Sequence, residues 1–81
     1  MIPPEYPEQL HAQGIEGRVA LMALIDTTGR VAEITVVSES GYGAFEESAM
    51  DAVRHARFRP YRSDGLTQEV YALIRYRFRI Y

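Results

Sequence analysis

The chain has 81 residues, a formal net charge of −2 and no cysteine. That length holds one domain with a modest core, and the lack of cysteine excludes a disulfide framework and a thiolate metal site. No stretch of about 18 apolar residues is present, so no membrane insertion by this fragment is expected.

The charge is unevenly placed. Residues 1–51 hold nine acids and two arginines, whereas residues 52–81 hold seven arginines and two acids. The basic third suits phosphate, an acidic peptide or a lipid headgroup, and equally a solvated face balanced by the acidic half of the same domain.

Met1-Ile2-Pro3-Pro4-Glu5 lacks the basic and apolar regions of a signal peptide. For a protein working outside the cytoplasm, an export signal or anchor is expected on a part of the polypeptide beyond these residues. Residues 1–6 read as an extended arm, because Pro3, Pro4 and Pro7 fix φ and turn the residues before them away from helix. A short helix is expected over 7–13, with Pro7 in its first turn and Gly14 as a left-handed cap. Residues 17–25 (GRVALMALI) are a short, uniformly apolar run between turn signals, which predicts a buried strand with both faces apolar. Asp26-Thr27-Thr28-Gly29 suits a hairpin loop. A second strand is expected over 30–38, with Ala32, Ile34 and Val36 on one face and Glu33 and Thr35 on the other. Val31 and Val37 break the alternation.

The spacing of Phe45, Ala49, Ala52, Val53 and Ala56 predicts a helix over 44–58 with one apolar stripe. Glu46 and Glu47 fall in its first turn and Arg54, His55 and Arg57 in its last, the order that the helix dipole favours. Pro60 ends it, and Ser63-Asp64-Gly65 reads as a turn. A long strand over 69–81 closes the chain. Val70, Ala72, Ile74, Tyr76, Phe78 and Ile80 take one face; Tyr71, Leu73, Arg75, Arg77, Arg79 and Tyr81 take the other. Three strands cannot close a barrel, so the sheet has two free edges. With helices on one face, the fold is a small α+β layer.

Catalysis is hard to build from these residues. His11 and His55 lack metal-ligand spacing, and Gly41-Tyr42-Gly43 lacks the rest of a phosphate-binding loop. No enzyme activity, metal or cofactor is expected. Two segments, Arg57 to Arg62 and Arg75 to Arg79, interleave arginine with aromatics, as RNA-binding sheets do. In the second segment, however, Tyr76 and Phe78 point away from the arginines, and a base platform needs both on one face. Nucleic acid is therefore not the expected partner. An open strand edge remains, whose unpaired backbone groups can accept an added strand. The arginines at 75, 77 and 79 can equally protect such an edge from aggregation.

The ordered landmarks resemble the TonB C-terminal domain family. They are Tyr6-Pro7; Gly14-Ile15-Glu16-Gly17 leading to Ile25-Asp26; Gly29-Arg30-Val31; Val36-Val37-Ser38 before Ser40-Gly41; Phe45, Ala49 and Ala52-Val53; Arg57-Phe58-x-Pro60; Asp64-Gly65; and Tyr76 and Phe78. They run in family order along nearly the whole chain. The resemblance implies a βαββ-like fold, a three-stranded antiparallel sheet with two helices packed on one face. It implies the periplasmic domain of an inner-membrane-anchored energy transducer, coupled through an N-terminal region to an ExbB–ExbD-type motor. Such a domain grips the TonB box of TonB-dependent outer-membrane receptors by strand addition, for uptake of iron–siderophore, haem or cobalamin.

The receptor-binding strand of the family maps onto Glu69, Val70, Tyr71, Ala72, Leu73, Ile74, Arg75, Tyr76, Arg77, Phe78 and Arg79. A secondary contact maps onto Pro3, Pro4, Glu5 and Tyr6. A homodimer is a further expectation. Many members carry Trp where this chain has Ala56, so packing at that helix end differs. An envelope interaction or dimerisation domain like that of TolA, not dedicated to nutrient uptake, and an RNA-binding sheet stand as alternatives.

Overall fold

The computed structural model describes residues 3–80; the parts of the arm and final strand that fall on Met1, Ile2 and Tyr81 lie outside the described residues. In chain order the elements are α1 (Glu8–Ala12), β1 (Gly17–Ile25), β2 (Val31–Ser38), α2 (Gly43–Arg54), β3 (Tyr61–Ser63), β4 (Leu66–Gln68) and β5 (Val70–Phe78). Three strands form an antiparallel sheet in the order β2-β1-β5, and β3 and β4 form a separate two-stranded ribbon. The molecule is elongated, about 49 × 20 × 18 Å.

The sheet is built around β1. Val19, Leu21, Ala23 and Ile25 point to the helix side and are buried. The apolar residues between them, Ala20, Met22 and Leu24, face the other way and are only half-buried. The strand is thus apolar on both faces, as its composition predicts, but just one face is covered. Against that face pack Phe45, Ala49 and Val53 of α2, and Ile74 and Phe78 of β5. Each large apolar side chain buried in this way contributes about 1.5–3 kcal/mol.

One glycine makes the closest part of this core possible. A Cβ on Gly17 would stand 2.7 Å from the Phe45 ring. Bare backbone at 17 lets that ring stack on Phe78, with centroids 4.4 Å apart and planes 26° apart.

Helix α1 begins one residue later than expected, with Pro7 outside it as the cap. Gly14, at φ +71°, closes it: Ile15 N–H donates to Leu10 O (2.9 Å) and Gly14 N–H to His11 O (3.1 Å). This is the Schellman arrangement.

Helix α2 ends at Arg54, four residues short of the predicted stop. Ala56 is still buried, but the chain has left the helix by then. Phe58 turns back instead and donates its N–H to Gly29 O at 2.9 Å. Glu46 lies in the first turn, as expected, but is buried to 9% exposure, and its carboxylate accepts the Ser40 N–H from the loop before the helix.

The sequence predicts a turn at 63–65 but no strands beside it. Asp64 (φ +52°) and Gly65 (φ +79°) form a two-residue hairpin turn, the geometry that right-twisted strands prefer. The three-residue arms β3 and β4 pair across it.

Candidate strand-addition edge

The strand order makes β2 and β5 the outer strands of the sheet, but the two differ in regularity. β5 pairs with β1 through nine consecutive partners, from Gly17↔Phe78 to Ile25↔Val70, with no break in register. β2 pairs with β1 through two register shifts. Leu24↔Glu33 is followed by Ile25↔Val31, and Ala20↔Ser38 by Leu21↔Val36. Ala32 and Val37 are therefore extra residues, bulged out of the ladder. This corrects the expected faces of β2: Val31, not Ala32, shares the helix side with Ile34 and Val36, because a bulge reverses the alternation beyond it. It also leaves Val37 56% exposed. Bulges twist a strand and spoil its edge as a template. β5 is the outer strand that keeps backbone groups at regular spacing.

Ile74 and Phe78 of β5 are buried beneath α2, and Val70, Ala72 and Tyr76 are half-buried on the same side. Desolvation raises the Tyr76 phenol above its ordinary pKa. Tyr71, Leu73, Arg75 and Arg77 are exposed on the opposite face. Glu69 precedes the strand, and Arg79 and Ile80 follow it. Ile80 does not extend the buried stripe. It is 37% exposed, and its N–H donates to Glu16 Oε2 at 2.8 Å, tying the chain end to the loop before β1.

The arm reaches this strand through one residue. Tyr6 sets its ring edge-on to Phe78 (5.5 Å) and Phe45 (5.7 Å), and its hydroxyl donates to Ile15 O. Burial, with the Glu16 carboxylate nearby, raises the Tyr6 phenol above its ordinary pKa. Glu5 lies instead against α2, where Ser48 Oγ donates to its carbonyl. An open cavity of about 1050 Å³ separates this part of the arm from the helix and is lined in part by Pro3, Pro4, Glu5, Glu47 and Asp51. Of the four arm residues singled out in the sequence, the structure brings Tyr6 to the end of β5 and lays Pro3, Pro4 and Glu5 beside α2.

The histidines have local partners. His55 Nδ1 lies 2.8 Å from Asp51 O and 3.7 Å from its carboxylate, one helical turn away. His11 packs edge-on to Tyr6. Among the described residues no group of three or more His, Asp or Glu is placed to hold a metal ion. No helix among them is long and apolar enough to cross a membrane.

These features define a class: a small α+β domain with a helix-covered sheet and one unbroken outer strand. Residues 2–80 match the family described as the Gram-negative bacterial TonB protein C-terminal, and the chain belongs to it. The chain is 37% identical over 65 residues to Protein TonB of Pseudomonas aeruginosa, covering 80% of this chain and 19% of that protein. It is 32% identical over 65 residues to Protein TonB of Vibrio cholerae, covering 80% of this chain and 27% of that protein. The chain thus spans less than a third of the length of these relatives.

The solution NMR structure of the Pseudomonas aeruginosa TonB CTD superposes with a TM-score of 0.85 at 34% identity, over 99% of this chain and 81% of that one. TonB2 of Vibrio anguillarum gives 0.77 at 32%, over 100% of this chain and 77% of that one. The three-stranded antiparallel sheet with helices, expected from the landmarks, is the fold that these structures share.

Proposed function

We propose that this domain is the periplasmic receptor-binding module of a TonB-type energy transducer, and that it takes the TonB box of an outer-membrane receptor as a fourth strand along β5. Force from an ExbB–ExbD-type motor, reaching the domain through an inner-membrane-anchored N-terminal region, then passes to the receptor during uptake of iron–siderophore, haem or cobalamin. Family membership supports the transducer role. The observation that carries the choice of strand is the nine-pair unbroken ladder of β5, set against the twice-bulged β2.

Strand addition suits a mechanical link. Several backbone hydrogen bonds act side by side, each contributing about 0.5–1.5 kcal/mol net. Four or five of them, less the cost of ordering the peptide, give micromolar-class binding. The bond is strong while the strands stay in register and is released by peeling. No reacting group is required. The role asks for a rigid body behind the edge, which α2 and the Phe45–Phe78 stack provide.

The test is a titration of the 81-residue chain with a receptor TonB-box peptide, followed by amide chemical shifts. Shifts are expected to concentrate in residues 69–79, with smaller ones at Tyr6. Absence of binding at millimolar peptide, or shifts centred on β2 or on the Gly41–Gly43 loop, would overturn the assignment.

A further inference from the structure

Three arginines meet on the sheet face turned away from the helices. Arg18 lies on β1, and Arg75 and Arg77 lie on β5; all three are exposed and alternate with the buried Val19, Ile74 and Phe78. Arg18 is the register partner of Arg77, and Ala20 that of Arg75. Directly opposed residues hold their Cβ atoms about 4.5–5.5 Å apart, and diagonal ones about 7–8 Å. One small patch therefore carries three positive charges. Like charges placed directly opposite one another destabilise a sheet.

Nothing inside the domain offsets that cost. Among the described residues none of the three forms an ion pair. Glu16 lines a cavity of about 210 Å³ with Arg18 and Arg77, but its Oε2 accepts the Ile80 N–H instead. Edge protection accounts for arginines on β5, an outer strand, but not for Arg18. β1 is the central strand, paired on one side with β2 and on the other with β5, so an arginine there has no edge to guard.

The three also share a concavity. A shallow cavity of about 510 Å³ on this face is lined in part by Arg18, Arg75 and Arg77 and by the apolar Ala20, Val37 and Leu73. Guanidinium groups suit planar, bidentate recognition of carboxylate or phosphate. A carboxylate brings two oxygens and one charge. A phosphate monoester brings three acceptor oxygens and close to two charges, which matches three converging arginines better.

We propose that Arg18, Arg75 and Arg77 form a binding site for a phosphate group. Arg18 and Arg77 clamp it from neighbouring strands, Arg75 supplies the third cation, and Ala20, Val37 and Leu73 receive an apolar chain joined to it. The shared chemistry fits a lipid phosphate headgroup and free phosphate. Strand addition uses backbone groups along the edge of β5, whereas this site uses side chains on the sheet face. The two therefore stand or fall independently.

The test is a titration of the 81-residue chain at low ionic strength, followed by amide chemical shifts, with inorganic phosphate and separately with dihexanoyl phosphatidic acid below its micelle concentration. Saturable shifts are expected at Arg18, Ala20 and residues 73–77, with a dissociation constant of about 1 mM for phosphate and one about tenfold tighter for the lipid. Tighter binding of the lipid names a headgroup as the source; equal affinity names free phosphate. Arg18→Gln and Arg75→Gln should each weaken binding about fivefold or more. Without ligand, Arg18→Gln should melt no lower than the parent chain, because it removes a like-charge pair. Three results would overturn the proposal. They are shifts that sodium chloride at the same ionic strength reproduces, binding that survives both substitutions, and an Arg18→Gln Tm below the parent's, which would give Arg18 a structural role.

Discussion

Gly29 is where the turn between β1 and β2 meets the chain leaving α2, and Gly29→Ala should be among the costliest single-methyl additions to this domain. Two costs add. The residue sits at φ +87°, a left-handed conformation that costs a non-glycine residue about 1–2 kcal/mol. The new Cβ would also stand 2.0 Å from the Phe58 carbonyl oxygen, and 3.1 Å from its carbon. That neighbour is backbone and cannot rotate away, so the Phe58–Pro60 segment must shift, and the Phe58 N–H bond to Gly29 O is strained with it. Overpacking of this kind costs about 1–3 kcal/mol. The expected loss is therefore about 2–5 kcal/mol, or a fall in Tm of roughly 10–40 °C for a domain of this size.

Gly14→Ala isolates the first cost. Its φ is +71°, yet nothing lies within 4 Å of its Cβ position, so only the conformational cost of about 1–2 kcal/mol applies. Thermal melts followed by circular dichroism on both variants decide the matter. If Gly29→Ala costs no more than Gly14→Ala, the close approach of Phe58 to this turn is not what holds the segment down.

Two further predictions concern pH. Asp26 Oδ1 accepts from Thr28 Oγ1 (2.6 Å), Thr28 N–H (2.9 Å) and Arg30 N–H (3.0 Å). The Thr28 hydroxyl first, and then the backbone donors, hold its carboxyl below the ordinary carboxylate pKa. The native state thus releases this proton more readily than the unfolded chain does. The stabilisation is complete above the unfolded value of about 3.9 and is lost as pH falls through the depressed native one; Asp26→Asn should flatten that part of the acid limb in melts between about pH 2 and 6. At the other end, Tyr6 holds its proton more tightly in the native state. Its contribution is whole below the ordinary tyrosine value of about 10 and disappears as pH rises through the raised one. Tyr6→Phe should lower Tm at neutral pH, for the lost bond to Ile15 O, and should weaken the alkaline fall in Tm. An unchanged alkaline limb would place the responsible group elsewhere.

The alternation of arginines with Ile74, Tyr76 and Phe78 made β5 legible in the sequence, and the 3.6-residue stripe did the same for α2. Features governed by distant contacts were not legible. α2 stops before Ala56 because Phe58 must reach Gly29, 29 positions earlier, and nothing local to the helix signals this. Glu46 has the type and position of an ordinary first-turn acid; only the fold brings Ser40 N–H to its carboxylate. The β3–β4 ribbon is almost wholly exposed, so its sequence carries no burial pattern to read. The bulges of β2 did leave a trace, since Val31 and Val37 break the alternation. That irregularity predicts a departure from strict pleating, but only the pairing shows which residues are expelled. The proposed edge residues follow from the resemblance and the pattern of β5 together, whereas the contrast with β2 needed the register.

The landmarks that carry the family resemblance have a common structural role. Gly17 admits Phe45, which stacks on Phe78. Asp26 and Gly29 shape a turn that receives Phe58, with the Pro60 ring 3.5 Å from the Cβ position of Gly29. Tyr6 caps the same aromatic cluster from the arm. Each of these residues joins one element to another through the helix-covered side of the sheet. The outward-facing residues of β5 from Tyr71 to Arg77 take no part in those joints. A substitution on that face therefore leaves the body intact, and a strand added along the proposed edge would be held by backbone groups that any side chain leaves in place. The two kinds of residue occupy opposite faces of one strand, so substitutions at Leu73 or Arg77 should leave the core at Ile74 and Phe78 undisturbed, and melting curves that match the parent chain's are the expected result.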